Sequence, residues 1–128
     1  AGATVIHVGD VYRAILPVDK LFYLNSHRLQ HDPDPMLEQL VYLVQGVPDA
    51  FITIAGFSDE IGDARYRKKL SYEQAQSVAA YLWMKGVDRK RFRVIGYGKS
   101  RPIASNRNVI GSAFNRRIEV SFRIPDPS

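Results

Sequence analysis

Residues 34–46 read DPMLEQLVYLVQG and residues 51–55 read FITIA, and these two segments decide the class of fold. Asp34 is a good helix N-cap and Pro35 suits the first helical position. The apolar residues that follow recur at i, i+3, i+4 and i+7, as on one face of a helix, at Leu37, Leu40, Val41 and Val44. Residues 51–55 form a short apolar run, typical of a strand buried on both faces, which Gly56 is predicted to end. The sequence therefore predicts a helix that leads into a central strand.

The segments toward the C-terminus extend this alternation. Residues 57–69 are polar and predict a loop. Ser71 and Gln74 have the spacing of a capping box and predict a second helix that starts there and ends at Gly86. Residues 92–95 predict another short strand, and residues 117–124 alternate apolar and polar side chains as in a half-exposed strand.

The N-terminal third has weaker patterns. Residues 4–16 predict a hairpin or a single bent strand, and residues 18–33 predict a loop that buries Leu21 and Phe22. The predicted fold is α+β: a two-layer βαβαββ domain with helices on one face of a mixed parallel and antiparallel sheet. We expect residues 1–15 to form a strand or hairpin extension packed on a domain of residues 16–128.

Composition excludes several classes of function. The chain has 128 residues, a net charge of +5 and no cysteine, so disulfides, thiolate metal sites and a cysteine nucleophile are excluded. The histidines do not have metal-ligand spacing and no serine-nucleophile motif is present, so the sequence predicts no enzyme, no cofactor and no metal. Basic residues attract polyanions, but no nucleic-acid-binding motif accompanies them, and no nucleic-acid partner is predicted. Because the chain starts at Ala1 without Met, we expect an N-terminal targeting segment or anchor to be missing.

Several motifs carry a resemblance to a known family. They are IAGFSD at 54–59, Gly62, Leu70-Ser71 followed by Ala75, Gly96-Tyr97-Gly98 with Pro102, and NRRIEV at 115–120. Their order and spacing resemble the OmpA-like C-terminal domain over roughly residues 16–124. The resemblance implies a periplasmic domain, tethered to the outer membrane, that binds the diaminopimelate of peptidoglycan stem peptides without catalysis.

The resemblance also implies a set of ligand-binding residues. Asp59 would pair with the ammonium group of diaminopimelate, and Ser58 offers a hydroxyl beside it. Asn25 matches an asparagine on the facing loop that contacts the ligand. Arg116 or Arg117 would lie at the edge of the pocket.

Two positions depart from the family pattern. Gln74 stands where the family has the arginine that binds the diaminopimelate carboxylate, and Arg67 stands where the family has an asparagine. In one account Arg67 enters the pocket and restores the positive charge, with Gln74 as a secondary donor. In the other, Gln74 only completes the capping box of Ser71 and the pocket has lost its ligand.

These departures leave a second function open. The domain could be an OmpA-like scaffold with weakened peptidoglycan binding that acts as a protein-interaction subunit of an envelope machine. Flagellar motors and type IV or VI secretion systems are expected homes for such a subunit, and a type IVB (Dot/Icm-like) system is the particular one favoured.

Overall fold

The computed structural model describes residues 2–59, 62–100 and 114–124. Its five strands form one sheet in the order β1-β2-β5-β3-β4. The elements in chain order are β1 (Thr4–Val8), β2 (Val11–Pro17), α1 (Val18–Leu21), α2 (Pro35–Gln45), β3 (Ile52–Phe57), α3 (Ala64–Met84), a 3-10 turn (Arg89–Arg91), β4 (Phe92–Gly98) and β5 (Arg117–Arg123).

The sheet is mixed, which confirms the predicted α+β class. Strands β3 and β4 pair in parallel, whereas β5 lies between β2 and β3 and is antiparallel to both. From β2 onward the major elements follow the predicted order βαβαββ. Because the last strand is inserted at the centre of the sheet, the apolar face of β5 is fully covered, and Ile118 and Val120 have no exposed surface.

The two long helices pack on one face of this sheet. Strand residues from β2, β3 and β5 meet helix residues spaced three and four apart, as expected for an amphipathic helix on a sheet. The side chains buried between the sheet and the two helices, each at most 3 % exposed, include Leu16, Ile52, Ile54, Ile118, Val120, Leu37, Leu40, Val44, Val78 and Leu82. Asp34 caps α2 as predicted, with its side chain accepting a 3.0 Å hydrogen bond from the backbone N–H of Leu37.

The predicted start of the second long helix is wrong. Helix α3 starts at Ala64, where the Asp63 side chain accepts a hydrogen bond from the backbone N–H of Tyr66. Ser71 therefore lies inside the helix, where its hydroxyl donates to the Lys68 carbonyl and accepts from the backbone N–H of Gly98. The first two turns carry Ala, Arg and Lys, which favour helix without forming an apolar stripe, and their polarity led to the wrong prediction of a loop.

Gly56 does not end β3, because the strand continues to Phe57. The glycine instead faces α3: a Cβ at this position would lie 2.0 Å from the Ser71 carbonyl oxygen. Strand β4 likewise runs past Ile95 to Gly98. The missing side chain thus permits close helix–sheet contact rather than marking a strand end.

The N-terminal residues form a hairpin of β1 and β2, one of the two predicted alternatives. Residues 18–33 contain the short helix α1, which was not predicted, and they bury Leu21 and Phe22 as expected. Strand β2 pairs with β5 over its whole length, and the expected boundary between residues 15 and 16 falls within it. The division into an extension and a domain stays a prediction.

Within the described ranges, no helix is both long and apolar enough to cross a lipid bilayer.

The Tyr81 hydroxyl joins the two long helices. It donates a 2.6 Å hydrogen bond to Glu38 Oε2 and accepts one from the buried backbone N–H of Asp34. We expect Tyr81→Phe to lower the free energy of unfolding by about 1–3 kcal/mol at neutral pH, because the Asp34 N–H loses its partner. Urea unfolding of both proteins measures this difference.

The difference in unfolding free energy between wild type and Tyr81→Phe should depend on pH, because the Tyr81 hydroxyl can ionise. Burial, followed by the hydrogen bond to Glu38, raises the pKa of Tyr81 to about 12. A raised pKa means that the neutral, hydrogen-bonded form stabilises the fold fully below about pH 10, the pKa of an unfolded tyrosine. This stabilisation is lost as the pH rises from about 10 toward 12, so the difference in unfolding free energy between wild type and Tyr81→Phe should shrink over that pH range. If this difference in unfolding free energy does not change with pH, the pKa of Tyr81 is not raised by the contacts described.

Candidate functional site

A cavity of about 180 Å³ lies between the segment that starts at α1, the carboxyl end of β3 and the N-terminal half of α3. The resemblance predicted a site at this end of β3. Its lining residues are Val18, Asp19, Phe22, Tyr23, Leu24, Asn25, Gln30, Phe57, Ser58, Arg67, Leu70, Gln74 and Arg116.

One side of the cavity is built on an arginine held by two carboxylates. Nη1 of Arg116 donates a 2.6 Å hydrogen bond to Oδ2 of Asp59, which is 3 % exposed. Nε and Nη2 of Arg116 donate to the two carboxylate oxygens of Asp19 at 2.9 and 2.7 Å. The hydrogen bonds, first that to Asp19, raise the pKa of Arg116 above its ordinary value. Arg116 is therefore a permanent cation that holds β5, α1 and the end of β3 together.

Arg67 lies at another side of the cavity, on the first turn of α3. Its Nη1 donates a 3.3 Å hydrogen bond to Oδ1 of Asn25, and its guanidinium carbon lies 5.3 Å from the centre of the Tyr66 ring. Its Nε is buried and has no hydrogen-bond partner among the described residues. Within the same residues, Arg67 forms no ion pair, in contrast to Arg116. The Arg67 guanidinium thus retains capacity to bind an anion.

Gln74 positions the loop that faces Arg67. Its side chain is 4 % exposed, and Nε2 donates a 3.0 Å hydrogen bond to the carbonyl oxygen of Ser26. Asn25, the preceding residue, has a φ of +53°, a left-handed conformation that asparagine adopts more readily than most residues. Gln74 therefore acts on the loop that presents the Asn25 side chain to Arg67.

The two remaining candidates occupy different places. Ser58 lines the cavity, and its hydroxyl donates to the backbone carbonyl of Asp59. Arg117 does not line it: its side chain is buried, donates to Glu119 Oε2 at 2.6 Å and lies 3.9 Å above the Phe57 ring. The structure therefore brings Asn25, Ser58, Arg67, Gln74 and Arg116 around the cavity, with Asp59 bound to Arg116, and places Arg117 elsewhere.

Asp19 is a lining residue that the sequence prediction missed. It lies within residues 16–124, the span of the family resemblance, but nothing in its sequence position shows that it binds Arg116, 97 positions later. Only the antiparallel pairing of β2 with β5 brings the two segments together.

The cavity can therefore bind both signs of charge. The Asp19 carboxylate lines it, with Asp59 beside it on Arg116, and so does the Arg67 guanidinium, which forms no ion pair among the described residues. No cluster of metal-ligating side chains occurs among residues 2–59, 62–100 and 114–124. The arrangement suits a small ligand group that carries an ammonium and a carboxylate on neighbouring atoms.

Comparison with known proteins identifies the class of domain. A family model described as OmpA family matches residues 21–116. The chain is 35 % identical over 110 residues to outer membrane protein A of Bordetella avium, covering 86 % of this chain and 57 % of that protein. It is 42 % identical over 116 residues to the peptidoglycan-associated lipoprotein of Legionella pneumophila, covering 89 % of this chain and 66 % of that protein.

The fold has solved counterparts. The structure of the cell wall anchor of the T6SS from Pseudomonas aeruginosa matches with a TM-score of 0.85 at 28 % identity, over 96 % of this chain and 88 % of that one. The chain belongs to the OmpA family, as the motifs indicated. It spans 57 % of the Bordetella protein and thus corresponds to part of such a relative.

Proposed function

We propose that this domain binds peptidoglycan non-covalently, without catalysis, and anchors an envelope protein to the cell wall. The observation that carries the proposal is a cavity lined by the Asp19 carboxylate and by the Arg67 guanidinium, which has no ion pair among the described residues, with the Asp59 carboxylate bound to Arg116 beside it. Relatives support it: one is named a peptidoglycan-associated lipoprotein and another is described as a cell wall anchor. They also support a periplasmic location with a tether to the outer membrane.

The ligand group we propose is the diaminopimelate of the stem peptide. Its side chain ends in a carbon that carries both an ammonium and a carboxylate group. The ammonium would bind the Asp59 carboxylate, which shares Arg116 with Asp19. The carboxylate would bind Arg67, whose planar N–H groups suit a carboxylate better than the neutral amide of Gln74 does.

Of the two accounts of the family departures, the structure favours the one in which Arg67 supplies the charge. Gln74 is not a capping residue, since α3 starts ten positions earlier at Ala64. Its amide donates to Ser26, and Arg67 lines the cavity beside it. We infer that the guanidinium has moved from the helix position 74 to position 67 while the ligand group stayed the same.

Retention by isolated peptidoglycan sacculi tests the proposal. Wild-type protein should sediment with diaminopimelate-type sacculi, and Asp59→Ala should bind about tenfold more weakly or worse, because a charge-assisted hydrogen bond contributes about 1.5–3 kcal/mol. Asp49→Ala is the matched control, since Asp49 is exposed and lies outside the cavity. Thermal unfolding of each variant shows whether loss of the Asp59–Arg116 ion pair has unfolded the domain.

The same experiment separates the anchor from the scaffold. Equal retention of wild type and folded Asp59→Ala, or no retention of either, would overturn peptidoglycan binding through this cavity. Association only with other envelope proteins would favour the protein-interaction subunit. The similarity to a T6SS anchor supports a place in a secretion machine for either outcome.

A further inference from the structure

Strand β1 forms an unprotected edge of the sheet. All five of its residues are exposed, with Val5 at 56 %, Ile6 at 42 % and Val8 at 72 %. It pairs with β2 on one side, and no other described strand pairs with its outer side. Native edge strands are usually protected by charge, proline or a bulge. Residues 4–8 contain no proline and no Asp, Glu, Lys or Arg.

The distribution of charge limits what can pair with this edge. The chain carries a net charge of +5, and the opposite edge, β4, is accompanied by Arg89, Arg93 and Lys99. Two copies would repel each other there. Near β1, Arg13 pairs with Glu119 and Arg123 with Asp10, each at 3.5 Å, and the Lys20 ammonium lies beside Gly2, before the start of the strand. Of the two sheet edges, β1 is the one that brings less positive charge toward a second copy, since its own five residues carry no Lys or Arg.

The edge is also held in a fixed conformation. Gly9 has a φ of +62°, as a two-residue hairpin turn requires at its first central position. The His7 ring stacks on Tyr12 at 4.1 Å between centroids, and Tyr12 stacks on Phe122 at 5.9 Å. This row of rings across three strands fixes the register of β1, so little conformational entropy remains to be lost on pairing.

The register determines which backbone groups face outward. Val8 pairs with Val11 across the two-residue turn, as the closing hydrogen-bonded pair, and such pairs alternate with non-hydrogen-bonded ones. Val5 and His7 therefore direct their N–H and C=O groups to the outer edge. An antiparallel copy of β1 centred on Ile6 would match these groups, with Val5 opposite His7 and Ile6 opposite Ile6.

We propose that β1 is a self-association strand, which pairs with β1 of a second copy of this chain about a two-fold axis at Ile6. The pairing joins two five-stranded sheets into one continuous sheet. Five-residue strands bury less than the roughly 1,200 Å² typical of stable dimers, so the dimer forms at high protein concentration. No residue of β1 lines the cavity, so this inference is independent of peptidoglycan binding.

Disulfide trapping tests both the dimer and its register. The chain has no cysteine, and residues opposite each other in a non-hydrogen-bonded pair have Cα atoms about 4.5 Å apart, within reach of a disulfide. Ile6→Cys should form a covalent dimer quickly under mild oxidation. Val8→Cys is the matched control on the same strand: it is more exposed but meets Thr4 of the second copy, and should cross-link at least about tenfold more slowly.

Sedimentation equilibrium gives a second measurement without cysteine. Wild type should show concentration-dependent dimer, and Ile6→Lys should stay monomeric because two lysines would face each other. Tyr42→Lys, at an 83 % exposed position on α2, should dimerise like wild type. Cross-linking of Ile6→Cys no faster than that of Val8→Cys, or a monomeric wild type at millimolar concentration, would overturn the proposal.

Discussion

Replacing Arg67 with glutamine is expected to weaken binding of a diaminopimelate-containing muropeptide by about ten- to a hundredfold. The guanidinium lines the cavity, has a buried Nε without a partner among the described residues and forms no ion pair there. A carboxylate bound to it would gain charge-assisted hydrogen bonds of about 1.5–3 kcal/mol in total, and each 1.4 kcal/mol is a factor of ten. Isothermal titration with a soluble muropeptide measures the change.

Comparing two stem peptides separates the contribution of the diaminopimelate carboxylate from that of the ammonium group. A stem peptide with lysine in place of diaminopimelate keeps the ammonium and lacks the neighbouring carboxylate. Wild type should prefer the diaminopimelate peptide, and Arg67→Gln should bind both peptides alike. Arg65→Gln removes an exposed arginine of the same helix turn outside the cavity and should behave as wild type. A ligand preference that survives in Arg67→Gln would show that another group binds the carboxylate.

Exchanging residues 67 and 74 extends the same prediction. Gln74→Arg alone should change affinity little, because Arg67 already supplies the cation and the loss of the Gln74–Ser26 hydrogen bond loosens the facing loop. In the Arg67→Gln background, the same substitution should recover about tenfold of the lost affinity. If Gln74→Arg instead strengthens binding strongly in the wild-type background, Arg67 does not bind the ligand carboxylate.

The sequence predicted those elements whose signals are local. The cap at Asp34 and the apolar spacing from Leu37 to Val44 are sufficient for α2, because one residue supplies the cap and one face supplies the packing. The order of helices and strands followed from the same kind of pattern. The start of α3 could not be predicted in this way, because Asp63 caps a helix whose first turns carry Ala, Arg and Lys and have no stripe of buried apolar side chains.

The sequence could predict which residues belong to the candidate site but not which of them contact one another. Family motifs pointed to Asp59, Asn25 and one of Arg116 and Arg117, and the structure places Asn25 and Arg116 at one cavity and Asp59 beside it. They could not show that Asp19 also binds Arg116, because that contact depends on the pairing of β2 with β5. Nor could they show that Arg117, adjacent in sequence, faces the opposite side of the sheet, which follows from the two-residue period of a strand.

Gly56→Ala is expected to lower the free energy of unfolding by about 3 kcal/mol or more. A Cβ at Gly56 would lie 2.0 Å from the Ser71 carbonyl oxygen and 2.7 Å from its carbon, both backbone atoms of α3. Neither can rotate away, so the helix must move from the sheet, and overpacking of a rigid core typically costs 1–3 kcal/mol or more. Gly96, its partner in β4, meets Tyr72 in the same way. Urea unfolding at pH 7 measures the loss.

Movement of α3 away from the sheet in Gly56→Ala should also weaken ligand binding. Arg67 and Gln74 are carried by α3 on either side of Ser71, so a shift of the helix moves both relative to Asn25 and Ser26. We expect folded Gly56→Ala to bind muropeptide more weakly although residue 56 does not line the cavity.

Gly46→Ala is the matched control, because Gly46 has a φ of −73° and its Cβ would approach backbone atoms no closer than 3.3 Å. It should change stability by less than about 1 kcal/mol. Equal stability of the two variants would show that α3 is not held to the sheet through these glycines.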